Sequence, residues 1–271
     1  MLSAIPGSQY LIGLCFGFVI AALAYKRRWL TVGGASATLI FAIVIFGLGG
    51  WKWTVPIVTF FVTSSALTRA GRERKAGLKD AILKPGPRDA MQVLANGGVS
   101  LLLVILHGIF RDVNLYLPYA GSIAAATADT WATEVGMLSR NPPLLVRNLR
   151  RAEAGTSGAV SLMGLAAGLI GSCVVGLSAL PWLDTITTAG AIIVSGIAAC
   201  VFDTLLGSTV QAEYECPGCG RRSEKRIHCG RIEGRRVRGV TWVDNDVVNF
   251  ACTLSGALLM SLFCGEIKSC G

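Results

Sequence analysis

Residues 157–180 have the sequence SGAVSLMGLAAGLIGSCVVGLSAL, in which no side chain is charged. The uncharged run continues in both directions and covers residues 154–183. A helix needs about 20 predominantly apolar residues to cross the hydrocarbon layer of a bilayer. The stretch therefore predicts a transmembrane helix. Its small residues, including Gly164 and Gly168, predict close contact with neighbouring helices.

Similar uncharged runs recur along the whole chain. Hydrophobic residues make up 52% of the 271 residues and charged residues 15%, whereas soluble domains carry about 25% charged residues. This composition excludes a soluble globular enzyme, a disordered tail and a secreted disulfide scaffold. We expect one all-α membrane domain over residues 1–271, a polytopic bundle of about eight transmembrane helices. The predicted helices cover residues 9–25, 30–49, 53–68, 91–110, 115–137, 157–180, 186–208 and 247–264.

The basic residues predict the orientation of this bundle. With both termini outside, all of the 25 basic residues except Lys52, Arg111 and Lys268 fall on the inner side. Lys and Arg are enriched in cytoplasmic loops of membrane proteins. The net charge of +9 is therefore a topology signal, and we expect no binding to nucleic acid. Because positive charge follows the first apolar run instead of preceding it, we expect no cleaved signal peptide.

Four carboxylates fall within or beside predicted helices: Asp129 and Glu134 in the fifth, Asp203 in the seventh and Asp246 at the start of the eighth. An ionised carboxylate at the centre of a membrane helix costs about 2.5–3.5 kcal/mol on insertion scales, so each one needs a partner or a function. The predicted topology places all four in the inner half of the membrane. They either form a shared site or pair separately with loop arginines and stabilise helix packing.

The side chains near these acids are small and neutral or amidic. Those singled out are Thr130, Thr133, Gln211, Asn245, Asn249, Gln92 and Asn96, with Arg88 preceding the fourth helix. Carboxylate, amide and hydroxyl oxygens suit a hard cation such as Mg²⁺, which often also binds substrate phosphates. Asp129 and Glu134 lie about 140° apart on an ideal helix. We therefore expect Asp129 to face Asp203 and Asp246, and Glu134 to lie nearer the water.

Gly155, Thr156, Ser157 and Gly158 precede the predicted sixth helix. Backbone amides at the start of a helix bind anions readily. The same sequence is equally typical of a turn that caps a helix without any ligand, and both interpretations stay open.

A cysteine motif lies in the basic loop predicted over residues 211–245. Cys216 and Cys219 form a CxxC pair, followed by His228 and Cys229. Sulfur and imidazole ligands with this spacing predict a structural zinc site. A reduced loop without metal is the alternative. A disulfide is less compatible with the cytoplasmic side.

Five segments resemble the family of transmembrane protein 19 and the plant phytyl-phosphate kinases. They are RDAMQVLANG at 88–97, ADTWATEVG at 128–136, GTSGAVS at 155–161, DTLLGSTVQ at 203–211 and DNDVVN at 244–249. The resemblance implies a membrane kinase that makes a diphosphate from phytyl or a related prenyl monophosphate. The cysteine loop is more similar to a prokaryotic version, and no plastid transit peptide is visible. We therefore expect a prokaryotic plasma membrane with the site facing the cytoplasm.

These lines combine into one hypothesis. Asp129, Asp203 and Asp246 bind Mg²⁺, Glu134 is a fourth ligand or orients the substrate, and Arg88 neutralises phosphate oxygens. The remaining polar residues, including Thr130, Thr133, Thr156, Ser157 and Gln211, contact substrates. Gln92, Asn96 and Asn249 position the acceptor, whose prenyl chain lies among the fourth to seventh helices.

The phosphoryl donor is CTP or ATP; CTP is preferred only because related lipid kinases of this size use it. The rival class is a secondary transporter or ion channel that uses intramembrane acids, and the third is a non-catalytic scaffold. The sequence leaves the oligomeric state open.

The topology makes a testable prediction. Because the basic residues segregate to one side, the connections at residues 69–88 and 213–244 should both be cytoplasmic and both termini external. Reporter fusions or labelling of single introduced cysteines with a membrane-impermeant reagent measure this directly. Labelling that places the two connections on opposite sides would contradict the inward location of the acids.

Overall fold

The computed structural model describes residues 7–70, 86–230 and 232–266. Seven α-helices form the bundle in these ranges. They are α1 (Gly7–Lys26), α2 (Val32–Ala70), α3 (Ala90–Ile109), α4 (Tyr116–Gly136), α5 (Leu162–Ala179), α6 (Ile186–Thr209) and α7 (Asn245–Glu266). A short 3₁₀ turn, Leu180–Trp182, follows α5. Among the described residues, six helices are long and apolar enough to cross a membrane. The predicted helical membrane fold is confirmed.

Helix α2 folds back on itself at Gly50. The backbone there is not helical (φ 62°, ψ −154°), and a straight helix of 39 residues would be about 58 Å long. Instead, the Nη1 atom of Arg69, near the end of α2, donates a hydrogen bond to the carbonyl oxygen of Arg27, just before its start, at 2.8 Å. The two halves of α2 therefore correspond to the predicted helices 30–49 and 53–68, which are joined at Gly50 without a separate loop.

Helix α4 is the centre of the bundle and packs against α2, α3, α5, α6 and α7. Its first part is buried on every side from Tyr116 to Ala128. The Tyr119 hydroxyl donates a hydrogen bond to the carbonyl oxygen of Trp53 and connects α4 to the second half of α2. Because other helices surround α4, its side chains need not be as apolar as those that face lipid.

Small residues allow these helices to approach closely. A Cβ atom added at Gly121 of α4 would lie 2.7 Å from the carbonyl oxygen of Gly256 of α7. One added at Gly164 would lie 2.8 Å from the carbonyl oxygen of Ala132, and one at Gly168 would lie 3.1 Å from that of Ala128. The packing role predicted for Gly164 and Gly168 is thus confirmed.

Helix α5 begins five residues later than the predicted start at 157. Strand β2 (Ala159–Val160) pairs antiparallel with β1 (Leu144–Leu145), so the chain is extended immediately before the helix. Ser161 is the N-cap, and its side chain accepts a hydrogen bond from the amide of Gly164 at 3.0 Å. The expected helix start at the Gly155–Gly158 turn is therefore wrong.

The predicted basic loop contains small sheets. Strands β3 (Glu213–Glu215), β4 (Arg222–Ser223) and β7 (Arg235–Arg238) form an antiparallel sheet in the order β4-β3-β7. A separate hairpin joins β5 (Ile227–His228) to β6 (Ile232–Glu233). We call residues 211–244 the cysteine module. The all-α description therefore holds for the bundle, and the module adds short β structure.

The close packing of α4 on α7 makes a testable prediction. Gly121→Ala should destabilise the protein by about 1–3 kcal/mol, because the added methyl group meets backbone instead of a movable side chain. The matched control is Gly190→Ala in α6, where nothing lies within 4 Å of an added Cβ. Thermal unfolding in detergent measures both variants. An unchanged melting temperature for Gly121→Ala would contradict the packing described.

Candidate functional site

A cavity of about 430 Å³ opens at one end of the bundle. Its lining comes from the carboxyl ends of α2, α4 and α6 and from the amino ends of α3, α5 and α7. Neighbouring helices of opposite direction bring these ends together. The five segments that carry the family resemblance all contribute residues to this lining.

All four predicted acids line the cavity. Asp129 of α4 and Asp203 of α6 are close enough for their carboxyl groups to share a hydrogen bond. Asp246, in the first turn of α7, is 8% exposed. Among the described residues, Oδ1 of Asp203 is a buried oxygen without a hydrogen-bond partner. The arrangement concentrates carboxylate oxygens from three helices at one place.

Glu134 lines the same cavity on the side of α2. The Thr68 hydroxyl donates a hydrogen bond to Oε1 of Glu134 at 2.7 Å. Glu134 also interacts electrostatically with Arg88. The cavity wraps around the end of α4, and Asp129 and Glu134 therefore both line it despite their different directions on the helix.

Arg88 is held by its main chain as well as its side chain. Its amide donates to the carbonyl oxygen of Trp29 at 2.9 Å, and its own carbonyl oxygen accepts from the amide of Thr31 at 3.0 Å. The guanidinium lies 5.9 Å from the centre of the Phe60 ring. Burial lowers the pKa of Arg88, and the charge of Glu134 opposes this shift. The cavity thus has a fixed cation near Glu134.

Gln92 has a structural contact that the sequence analysis missed. Asp89 and Gln92 form a capping box at the start of α3, in which Oε1 of Gln92 accepts from the Asp89 amide at 3.1 Å. The D-x-x-Q spacing is the signal that predicts this cap. Gln92 still contributes to the cavity lining.

Most of the other predicted substrate contacts also line the cavity. Those that do are Thr133, Thr156, Ser157, Gln211 and Asn245. Thr130, Asn96 and Asn249 are not among its lining residues. Nδ2 of Asn96 donates to the carbonyl oxygen of Gln92 at 3.0 Å.

The Gly155–Gly158 turn packs against the end of α6. The Ser157 hydroxyl lies 2.7 Å from Oε1 of Gln211 and 3.1 Å from the carbonyl oxygen of Gly207. Gly158 has φ +75°, and an added Cβ would lie 2.3 Å from atoms of Ser208. A turn that joins α6 to the chain before α5 explains this sequence without a bound anion.

Glu224 lines the cavity from the cysteine module, and the sequence analysis missed it. Burial raises its pKa to about 7; a hydrogen bond with Gln211 opposes the shift, while Asp244 and Glu213 add to it. Glu224 lies in a strongly basic connection between β4 and β5. Neither apolar periodicity nor a motif distinguishes it from a solvated loop acid.

A narrow apolar slot adjoins the cavity. It lies between α1, the two halves of α2 and α3, and its walls include Phe41, Phe60 and Val93. Arg88 and Gln92 line both the slot and the cavity. A ligand with a polar head and an apolar tail would find both environments joined at these two residues.

A cysteine cluster lies in the cysteine module. Ligand atoms of Cys216, Cys219, His228 and Cys229 all lie within 4.8 Å of one another. Nδ1 of His228 is 3.4 Å from Sγ of Cys219 and 3.2 Å from Sγ of Cys229. Cys229 has a left-handed backbone conformation, with φ 44°. The side chains of His228 and Cys229 both reach the cluster, even though neighbouring residues do not usually point toward the same site.

Comparison with known proteins identifies the family of the chain. Residues 15–257 match the family described as integral membrane protein DUF92. The chain belongs to the DUF92 family of integral membrane proteins. The family resemblance carried by the five segments is thereby confirmed.

Relatives of this DUF92 protein occur in plants, archaea and cyanobacteria. Protein PGR of Arabidopsis thaliana is 26% identical, with 95% of this chain and 96% of the relative covered. An uncharacterized membrane protein of Methanocaldococcus jannaschii is 32% identical over 70% of this chain and 78% of its own. One of Synechocystis is 25% identical over 94% of this chain and 90% of its own. No solved structure matches the chain.

Two groups of residues in this DUF92 protein have the chemistry to hold metals. The clustered carboxylates, with the unpartnered Oδ1 of Asp203, suit an oxygen-binding cation such as Mg²⁺. The cysteine cluster suits zinc, because bonds of about 2.3 Å to sulfur and 2.0–2.1 Å to nitrogen place tetrahedral ligand atoms roughly 3.5 Å apart. The observed distances from His228 fit that spacing.

The side chains of this cluster change the pKa values of its thiols. Burial would raise the pKa of Cys216, but hydrogen bonds from the amides of Gly218 and Cys219 and from nearby side chains lower it to about 7. The pKa of Cys229 is raised to about 11, first by its hydrogen bond with Cys219 and then by burial. The cluster therefore favours the thiolate of Cys216 and disfavours that of Cys229. A bound dication would stabilise the Cys229 thiolate as well.

Zinc binding is a testable prediction. Protein purified without a chelator should contain one zinc per chain by elemental analysis. Cys219→Ser should lose it, because a hydroxyl replaces a thiolate ligand. Cys15→Ser, at an exposed cysteine of α1, is the control and should retain zinc. Metal-free wild-type protein would contradict the prediction without affecting the carboxylate site.

Proposed function

We propose that this protein is a membrane prenyl-phosphate kinase. It transfers a phosphoryl group from a nucleoside triphosphate to phytyl or a related prenyl monophosphate and gives the diphosphate. The observation that carries the proposal is the junction at Arg88 and Gln92, where an acid-lined polar cavity meets an apolar slot. A prenyl monophosphate has the same division between a charged head and an apolar tail.

The acceptor binds across this junction. Its phosphate lies beside Arg88, whose planar guanidinium suits two phosphate oxygens. Its chain enters the slot between α1, α2 and α3. This differs from the chain position expected among the fourth to seventh predicted helices. The buried side chains of α4, such as Ile123 and Tyr119, fill the space among those helices.

The donor enters the cavity from the side of the cysteine module. Asp129, Asp203 and Asp246 would hold Mg²⁺, which neutralises charge on the phosphates of a bound nucleotide. CTP and ATP both fit this chemistry. The cavity lies at the end of the bundle that carries the cysteine module, and we propose that this end faces the cytoplasm, where nucleotides are available.

The residues need mainly to bind and orient the reactants. Phosphoryl transfer depends on positioning and on neutralising charge more than on proton removal. The acceptor phosphate is already ionised near neutral pH, so the site requires no strong base. Glu134, held by Thr68 and facing Arg88, orients the guanidinium toward the acceptor.

The rival proposal of a transporter or ion channel receives less support from this geometry. Transporter sites lie near the bilayer midplane, whereas this cavity opens at one end of the bundle. Beyond it, α4 is buried on every side from Tyr116 to Ala128.

The reaction can be tested directly. Purified protein in detergent should convert prenyl monophosphates to diphosphates in the presence of Mg²⁺ and γ-labelled CTP or ATP, detected by transfer of label to lipid. Absence of labelled lipid with every chain length and both nucleotides would overturn the kinase proposal. Counterflow of labelled cations into proteoliposomes would then favour the transporter.

Asp203→Asn is the sharpest variant prediction. It should reduce phosphoryl transfer by more than about 100-fold, because it removes a charged oxygen ligand while keeping the side-chain shape. The protein should still fold, since neutral Asn is less costly to bury than an ionised acid. Asp184→Asn, on the connection before α6 and outside the cavity lining, is the matched control. Normal turnover of folded Asp203→Asn would contradict the proposed role.

A further inference from the structure

Glu224 lies in the carboxylate cavity although it belongs to the cysteine module. It lines the cavity together with Asp203 and Asp246, and it is close enough to Asp203 to interact electrostatically. Its neighbour in the chain, Ser223, is 8% exposed. The module therefore contributes Gln211 and Glu224 to the cavity lining and adds an acid from outside the bundle.

Both sides of the Glu224 segment are anchored within the module. On one side, Ser223 pairs with Tyr214 in the sheet. On the other side, the carbonyl oxygen of Arg226 accepts a hydrogen bond from the amide of Gly234 at 2.8 Å. The side chain of Arg226 also forms an ion pair with Glu233 at 2.7 Å. The position of Glu224 thus depends on the fold of the module.

The cysteine cluster closes this same segment. Cys219 precedes Glu224 and His228 follows it, and their side-chain ligand atoms meet at 3.4 Å. A metal bound to both residues would join the ends of a short loop with Glu224 near its middle. Fixing the ends of a loop reduces the conformations available to the residues between them.

We propose that Glu224 is a further cation-binding residue of the carboxylate cavity, held in place by a metal ion in the cysteine cluster. The cysteine cluster is then a positioning site, and the cavity is a composite of bundle and module. The identity of the cation as Mg²⁺ rests on the proposed function. The convergence of four carboxylates is independent of the proposed function. They are Asp129, Asp203, Asp246 and Glu224.

Charge supports this assignment. Carboxylates that converge in a partly buried cavity repel one another unless one of them takes up a proton or a cation lies between them. Arg238 forms an ion pair with Glu213 at 3.4 Å and also attracts Glu224, so its one positive charge is shared between two acids. A divalent ion bound by Asp203 and Asp246 would attract Glu224 into the cavity, and Glu224 would in turn increase the affinity of the site.

The test measures cation binding instead of catalysis. Mn²⁺ serves as a spectroscopic substitute for Mg²⁺, and zinc-loaded protein is titrated in detergent by electron paramagnetic resonance. Glu224→Gln should weaken Mn²⁺ binding by about tenfold or more. Glu153→Gln is the matched control, because it changes an exposed acid outside the cavity lining, and its Mn²⁺ affinity should equal that of the wild type.

A second measurement tests whether the metal in the cysteine cluster positions Glu224. Cys219→Ser should weaken Mn²⁺ binding to a similar extent, and combining it with Glu224→Gln should add little, since both changes act through one residue. Thermal unfolding identifies any variant that fails to fold. In that case Glu224→Asp, which keeps the charge on a shorter side chain, replaces Glu224→Gln and should give an intermediate affinity.

Wild-type affinity in folded Glu224→Gln would overturn the proposal. Full additivity of the two changes would overturn the role of the cysteine cluster. If wild-type protein shows no prenyl-phosphate kinase activity but Glu224→Gln still weakens Mn²⁺ binding, the proposed function fails and this inference stands.

Discussion

The burial of α4 is the constraint on which the rest of the structure depends. An apolar environment penalises unsatisfied polar groups, and α4 carries Asp129 and Glu134 toward one end. Five other helices surround it and keep these acids away from lipid. Close approach at Gly121 and Gly164 makes this enclosure possible. The carboxylate cavity forms where the enclosing helices end and α4 is no longer fully covered.

Two environments meet around this helix end, and the proposed function rests on their junction. The acids of α4, α6 and α7 form a polar surface, while α1, α2 and α3 form an apolar slot. Arg88 stands between them, fixed through its main chain beside Trp29 and Thr31. A ligand that is both anionic and lipid-soluble would contact the polar surface and the slot at once.

The sequence was sufficient to predict most of the acids that line the cavity, because charged residues are rare in this apolar chain. Asp129, Asp203 and Asp246 are conspicuous within uncharged runs, and the basic loops place them at one depth. Features that depend on tertiary contacts were beyond such reasoning. Glu224 looks like a solvated loop acid until the cysteine module folds against the bundle. The start of α5 was placed too early, because apolar composition does not distinguish strand β2 from the first turn of a helix.

The turn at Gly50 has a consequence for how the chain enters the membrane. A single residue with positive φ reverses α2, so no hydrophilic loop separates its halves. The two halves can therefore partition into lipid together as one helical hairpin, with Lys52 close to its tip. A hairpin of this kind could insert as one unit, and it would then offer a surface on which later helices assemble.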